Sequence, residues 1–493
     1  MTWLAARYEY LFRSTRGLAL VAIAMVSLTA VVFGTLSGPM AELGLKDVAV
    51  RVFGFRLDPA EREGRIIVLY HSIAVAVVAV ETYFITSLFP LRPGERSSVN
   101  ATITVGYLVT MVFGLAFAYF GHEYVFHGLY IFGLSISFFG GVLLARALWP
   151  WRAEYRTADQ TRARTRGGLD LERVALFTMA VATLGSACFG AVAGSYYGRG
   201  FDTFLAENVV REPHKSVLQL AVIGHLHIML TLIAVALVLI VGRWLDFRGP
   251  LHKVAMPLLI AGTVIVTLGV WLVVPFETQA HTLIYVGSVP MLAAALLLVV
   301  YGWRKLIRER LAEQRVASPT LGQRVAALLH DPVRFGPLWQ MVYMNFVVTA
   351  VGIFMAIRLD KTVRTWPWRE ERITLTGHWH ILAGIIATII LLYYADLIGL
   401  KGRTRRWFGW GIIVCSDVAF AAVTLFSTKR LYVGEDNQQT LVKWTMIATD
   451  LGLALVLVMV GVFLIWRLVD LFRARGRWAD DLGAEAPGAE AAR

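Results

Sequence analysis

Cysteine is nearly missing from this sequence. Its two copies, Cys188 and Cys415, stand far outside any metal-type spacing, and there is no Cys-x-x-Cys-His, so a covalently attached c-type haem is excluded. Both fall inside apolar stretches, where a free thiol packs as a small hydrophobe. Charge is also scarce: Asp, Glu, Lys and Arg make up 16% of the 493 residues, against 57% hydrophobic. No soluble domain carries so much apolar residue in runs of about 20, the length that crosses roughly 30 Å of hydrocarbon. The basic start is followed by no small-residue cleavage site, so the first apolar run reads as a retained helix and not a signal peptide. A nucleic-acid protein would need a basic soluble face with base-stacking aromatics, and none is present.

What is there is a series of spans. Twelve fit, near 17–39, 66–90, 100–120, 128–149, 173–196, 218–242, 255–275, 280–303, 337–357, 374–397, 407–427 and 444–469. The expected fold is all-α and polytopic: an N-terminal segment 1–16, a membrane domain 17–470 and a disordered tail 471–493, Ala/Gly/Glu-rich from about Gly483. The net charge of +13 gathers in alternate loops. Arg152, Arg156, Arg162, Arg164 and Arg166 lie in one, Arg304, Lys305, Arg308 and Arg310 in another, while 121–127 and 276–280 have neither Lys nor Arg. The positive-inside rule then puts both termini in the cytoplasm, although the loops near 41–65 and 358–372 run against the pattern.

Histidine is where the sequence becomes specific. GHLHIML carries His225 and His227, and GHWHILAG carries His378 and His380, both inside apolar spans. An ionisable side chain within a bilayer is costly and marks function by default. Residues i and i+2 of a helix point about 200° apart, so one pair can serve two ligands on opposite sides of its helix. With the termini inside, even-numbered spans run inward, and His71, His225, His227, His281, His378 and His380 all fall in the outer third of the membrane. Imidazole at one level on four separate segments suits haem iron, non-haem iron or copper. His214, His252 and His330 read as solvated loop residues. Glu81, Asp417 and Asp450 lie inside spans, as proton relays or as helix–helix hydrogen-bonding groups.

Together these motifs resemble the catalytic subunit of the haem–copper oxidase superfamily, in its nitric-oxide-reductase-like branch. The likeness covers spans 2 to 10. It rests on His71 in RIIVLYHSIAVAVVAVETYFITSLFP, the approach VVTAVGIFMAIRLDKTVRTWP to LTGHWHILAG, the turn GHEYVFH, and AHTLIYVG. The resemblance implies two haems, of b type: a low-spin haem between His71 and His380, and a high-spin haem on His378. It implies a non-haem iron or copper held by His225 and His281, and a calcium at Glu123, although the acid expected three residues later is Phe126. Lys429 and Arg430 match a basic pair that holds haem propionates; a solvated loop pair is the other reading.

The chain departs from that family at the second metal. The second histidine of the family's adjacent pair is Thr282, and the glutamate four residues after the span 6 histidine is Met229. Met229 shares a helix face with His225, and its thioether would favour copper; packing is the alternative. Met229, Glu277 and His227 are candidates to complete the site. The phenol that oxidase members carry at that position is also missing. The expectation is a respiratory-type enzyme of a bacterial or archaeal cytoplasmic membrane, converting a diatomic gas, NO before O2. Its electrons would come from cytochrome c, a cupredoxin or quinol, with an accessory subunit as a further partner. The alternative is a haem-only electron-transfer or gas-sensing protein without a working second metal.

Overall fold

The computed structural model describes residues 3–37, 44–58, 62–197, 217–358, 361–473 and 476–484. All regular structure among them is helical, with only isolated bridges at Arg156–Leu169 and Arg164–Asp170. Among the described residues, twelve helical stretches are long and apolar enough to cross a membrane, and they match the twelve spans expected from hydropathy. The chain is an all-α polytopic membrane protein. Helices prevail because hydrocarbon offers no partner to backbone N–H and C=O groups, and a helix satisfies its own. Large apolar side chains remain on the outside, as at Val458, Val462 and Ile465, where lipid and not water is the expected neighbour.

In chain order the helices are α1 (Trp3–Arg13), α2 (Thr15–Ser37), α3 (Leu45–Phe53), α4 (Arg62–Leu88), α5 (Pro93–Phe120) and α6 (Tyr124–Ala147). Then come α7 (Leu171–Val192), α8 (Val217–Trp244), α9 (Pro250–Trp271), α10 (Glu277–Glu313) and α11 (Leu321–Leu328). The last are α12 (Pro332–Tyr343), α13 (Thr349–Arg358), α14 (Trp368–Leu397), α15 (Gly402–Thr428), α16 (Glu435–Phe472) and α17 (Arg477–Ala484). Proline opens α5, α9 and α12, at a position whose N–H would lack an intrahelical partner anyway. Asp170 caps α7 by accepting the Glu172 N–H at 3.0 Å.

Neighbours in sequence pack as hairpins: α5 with α6, α9 with α10, α15 with α16. Small residues let them close, as membrane helix contacts require. A Cβ placed on Gly133 of α6 would stand 2.5 Å from the Thr110 nitrogen of α5.

Three helices position the site. α8 contacts α4, α7 and α14, and α14 also touches α4. α8 and α14 run in parallel register, because Trp244 near the end of one donates its indole N–H to Asp396 near the end of the other at 2.6 Å. Asp396 also pairs with Arg405 at 2.6 Å, and Arg405 reaches Asp331 on the edge of α12. Counting back 17 residues from Trp244 and 18 from Asp396 reaches His227 and His378, about 26 Å away along each axis.

Two expectations about the ends change. The start of the supposed loose tail folds as α17 against α1: Trp478 is buried, Arg7 lies 4.4 Å above its ring, and Asp481 accepts from Arg467 at 2.7 Å. Residues 485–493 lie outside the described residues. His252 is not solvated but fully buried in the first turn of α9, and its Nδ1 accepts the Ala163 N–H at 2.9 Å.

Candidate functional site

The two His-x-His pairs lie side by side. On α8 the two-residue spacing sends the imidazoles to different neighbours. The His225 ring lies 6.1 Å from that of His71 on α4, with planes 16° apart. The His227 ring lies 6.1 Å from that of His378 on α14, at 37°. On α14 the spacing acts differently. His378 turns to α8, while His380 turns to α4 and meets the Tyr70 hydroxyl at 2.7 Å from its Nε2. Where a shared haem between His71 and His380 was expected, the direct neighbour of His380 is Tyr70 and that of His71 is His225.

The ring nitrogens are sorted by their hydrogen bonds. Nδ1 of His71 lies 2.9 Å from the Ile67 carbonyl, and Nδ1 of His227 is 2.8 Å from that of Ile223. Nδ1 of His380 is 2.8 Å from the Thr376 carbonyl, each of these a bond to the residue four before on the same helix. Nδ1 of His225 reaches across to the Ser186 carbonyl of α7 at 3.0 Å. A carbonyl only accepts, so each Nδ1 carries the proton, and in a neutral ring each Nε2 keeps its lone pair. The His227 Nε2 accepts the Trp379 indole N–H at 3.1 Å. No hydrogen bond among the described residues engages Nε2 of His71 or His225.

Backbone irregularities flank the group. α7 ends in a π-turn at Ala193–Tyr197, just beyond the stretch that meets His225, and another at Met344–Val348 joins α12 to α13. Such turns insert a residue and re-aim the next stretch of helix, and they gather at functional sites. Beyond the second, Gly352 faces His378: a Cβ there would sit 3.8 Å from the ring's Cδ2. Tyr70 is 46% exposed and His380 is exposed too.

The remaining expected residues fall elsewhere. His281 sits in the second turn of α10 with its ring 6.5 Å from Tyr285, and Glu277 opens the same helix. Among the described residues no three His, Cys, Asp or Glu side chains converge as a metal-holding group, so His225, His281 and Glu277 are not assembled into one. The reason is local: His225 is drawn to α7 by the Ser186 carbonyl, whereas α10 packs chiefly on α9. Met229 is partly buried, one turn after His225. Glu123 is exposed at the N-terminus of α6.

Lys429 is not a solvated loop residue. It is 2% exposed and ion-paired to Glu370 at the start of α14, while Arg430 lies 3.6 Å from Glu435. Cys188 faces outward, not into the core. His330 accepts from Arg406 at 3.0 Å, and His214 lies outside the described residues.

Tyr70, Ser186, Glu370 and Trp379 entered the site unannounced. Tyr70 and Trp379 had a signal, since each adjoins a membrane histidine in sequence. No protein-family model, no curated protein and no solved structure matches this chain.

Proposed function

We propose that the protein is a membrane oxidoreductase that converts a diatomic gas, NO before O2, at a redox metal centre held by histidines of α4, α8 and α14. The observation that carries this reading is the set of four imidazoles whose Nδ1 atoms are committed to carbonyls, which puts the lone pair of each on Nε2; Tyr70 and Trp379 meet those of His380 and His227, and no hydrogen bond among the described residues occupies those of His71 and His225. That is the arrangement in which a histidine ligates iron: one nitrogen fixed by a carbonyl, the other presented to the metal. The donor set also suits haem, because neutral imidazole is its commonest axial ligand.

A haem bound here would supply one-electron transfer and an open coordination position for the gas. The chain's own residues do the rest. The carbonyls of Ile67, Ser186, Ile223 and Thr376 hold the rings in one tautomer. NO ranks before O2 because position 229 is methionine and offers no phenol to give an electron and a proton. On the family pattern His71 and His380 would share one haem, His378 would hold the other, and His225 with His281 would hold a non-haem iron or copper. Electrons would arrive from cytochrome c, a cupredoxin or quinol.

A second reading, a haem-only electron-transfer or gas-sensing protein, is favoured by the absence of a three-ligand group among the described residues. Optical spectra of the purified protein, reduced minus oxidised and with added NO, together with NO-consumption assays, test both. A Soret band with catalytic NO loss is the expected result. A Soret band without turnover selects the second reading, and no Soret band overturns both.

A further inference from the structure

We infer that α8, and not α14, is the helix that bridges two metal centres: His225 with His71 takes one, and His227 with His378 takes the other. The inference rests on the proposed reading that these histidines hold redox metals, and it changes which of them act together. An i, i+2 pair is a bridge only if both its sides meet a second ligand. On α8 both do, with ring centres 6.1 Å from His71 on one side and 6.1 Å from His378 on the other. On α14 only His378 meets an imidazole, since His380 is engaged by the Tyr70 hydroxyl.

The separations suit shared ligation. Metal–imidazole bonds of about 2.0–2.1 Å put two nitrogens roughly 4 Å apart across an ion, and their ring centres roughly 6 Å apart. The first pair also has its lone pairs available: both Nδ1 atoms are tied to carbonyls, and no hydrogen bond among the described residues occupies either Nε2. In the second pair the His227 Nε2 already accepts the Trp379 indole N–H, which shows that its lone pair lies on that nitrogen; ligation would exchange this hydrogen bond for the metal. The ligand class is a transition ion that accepts neutral imidazole, either as haem iron or as a bare ion.

The test uses the full-length protein in detergent. Haem is counted as its pyridine complex, bare iron and copper by elemental analysis, and low-spin and high-spin signals are read by low-temperature electron paramagnetic resonance. His71→Ala and His225→Ala are expected to abolish the same signal, which His380→Ala keeps. His227→Ala and His378→Ala are expected to abolish a second signal and keep the first. Since an alanine variant can fail to fold, His225→Gly is also measured with added imidazole, which is expected to restore the first signal. If His380→Ala and His71→Ala erase one signal while His225→Ala keeps it, the α8 bridge is overturned and the haem reading stands. If the wild-type protein binds neither haem nor a transition ion, both fall.

Discussion

The His225 ring lies flat against the backbone of Gly190. A Cβ built at Gly190 would stand 2.3, 2.4 and 2.7 Å from the ring's Cε1, Nδ1 and Nε2, three nearly equal distances that place the ring's face on α7. The Ser186 carbonyl one turn earlier takes the Nδ1 proton, so α7 supplies both the seat and the orientation of this imidazole.

Gly190→Ala should therefore act on the proposed metal centre without touching its proposed ligands. The methyl group must push the ring off Ser186, at an overpacking cost of about 1–3 kcal/mol. The expected outcome is a lower melting temperature in detergent and loss or shift of the signal that depends on His225. Wild-type spectrum and stability in this variant would mean that the close seat does not exist.

Trp379→Phe removes the indole N–H that His227 accepts. The ring of residue 379 still packs edge-on against His227, at a centroid distance of 5.0 Å in the wild type. The expected stability loss is that of one hydrogen bond, about 1 kcal/mol, read by thermal unfolding. The signal assigned to His227 and His378 should change while that of His71 and His225 stays. A change in both signals would argue that the substitution disturbs the whole bundle.

How legible these features were depends on the physics that each one obeys. The spans were readable because hydrocarbon thickness sets a length and a composition. The depth of the histidines came from counting along those spans; in the fold His71 neighbours His225, His227 neighbours His378 and His380 neighbours Tyr70, while His281 lies beside Tyr285. Their pairing was not readable. Spacing fixes the direction of a side chain around its own helix, but the neighbour it meets depends on how helices pack. The outward face of Cys188 has the same cause, since an apolar span does not say which side meets lipid; the burial of Lys429 depends on its ion-pair partner Glu370, 59 residues away in sequence. His252 was misjudged by five residues of boundary, since α9 begins at Pro250 and not near 255.

Two acids inside spans were equivalent as sequence and are not equivalent in the fold. Asp417 accepts from the Trp339 indole at 2.7 Å and from the Gln340 amide at 2.8 Å, which ties α15 to α12. Glu81 on α4 is 3% exposed, and its Oε1 has no hydrogen-bond partner among the described residues. Asp417→Ala should cost about 1–3 kcal/mol by stranding two donors. Glu81→Met should leave stability unchanged or raise it, because an unbonded buried oxygen is removed. If Glu81→Met also loses gas turnover at full haem content, the carboxyl is retained for proton handling. Destabilisation of the Glu81 variant equal to that of Asp417→Ala would refute the contrast.

Outside the membrane spans, sensitivity to acid should centre on His330, between α11 and α12. The Arg406 guanidinium donates to its Nε2 at 3.0 Å, which requires a lone pair and hence a neutral ring. Burial first, then the nearby Arg310 and Arg406, hold its pKa below the ordinary 6.5, with Asp331 and Glu313 opposing them. The unfolded chain therefore takes up this proton more readily than the folded one, so stability rises with pH across the window. The contribution is fully present above pH 6.5 and is lost as pH falls through the lower, folded value. Melting temperature measured from about pH 7.5 down to 5 should fall, and His330→Gln, which keeps an acceptor for Arg406 but cannot titrate, should make the slope shallower. An unchanged slope in that variant would show that proton uptake elsewhere governs acid sensitivity.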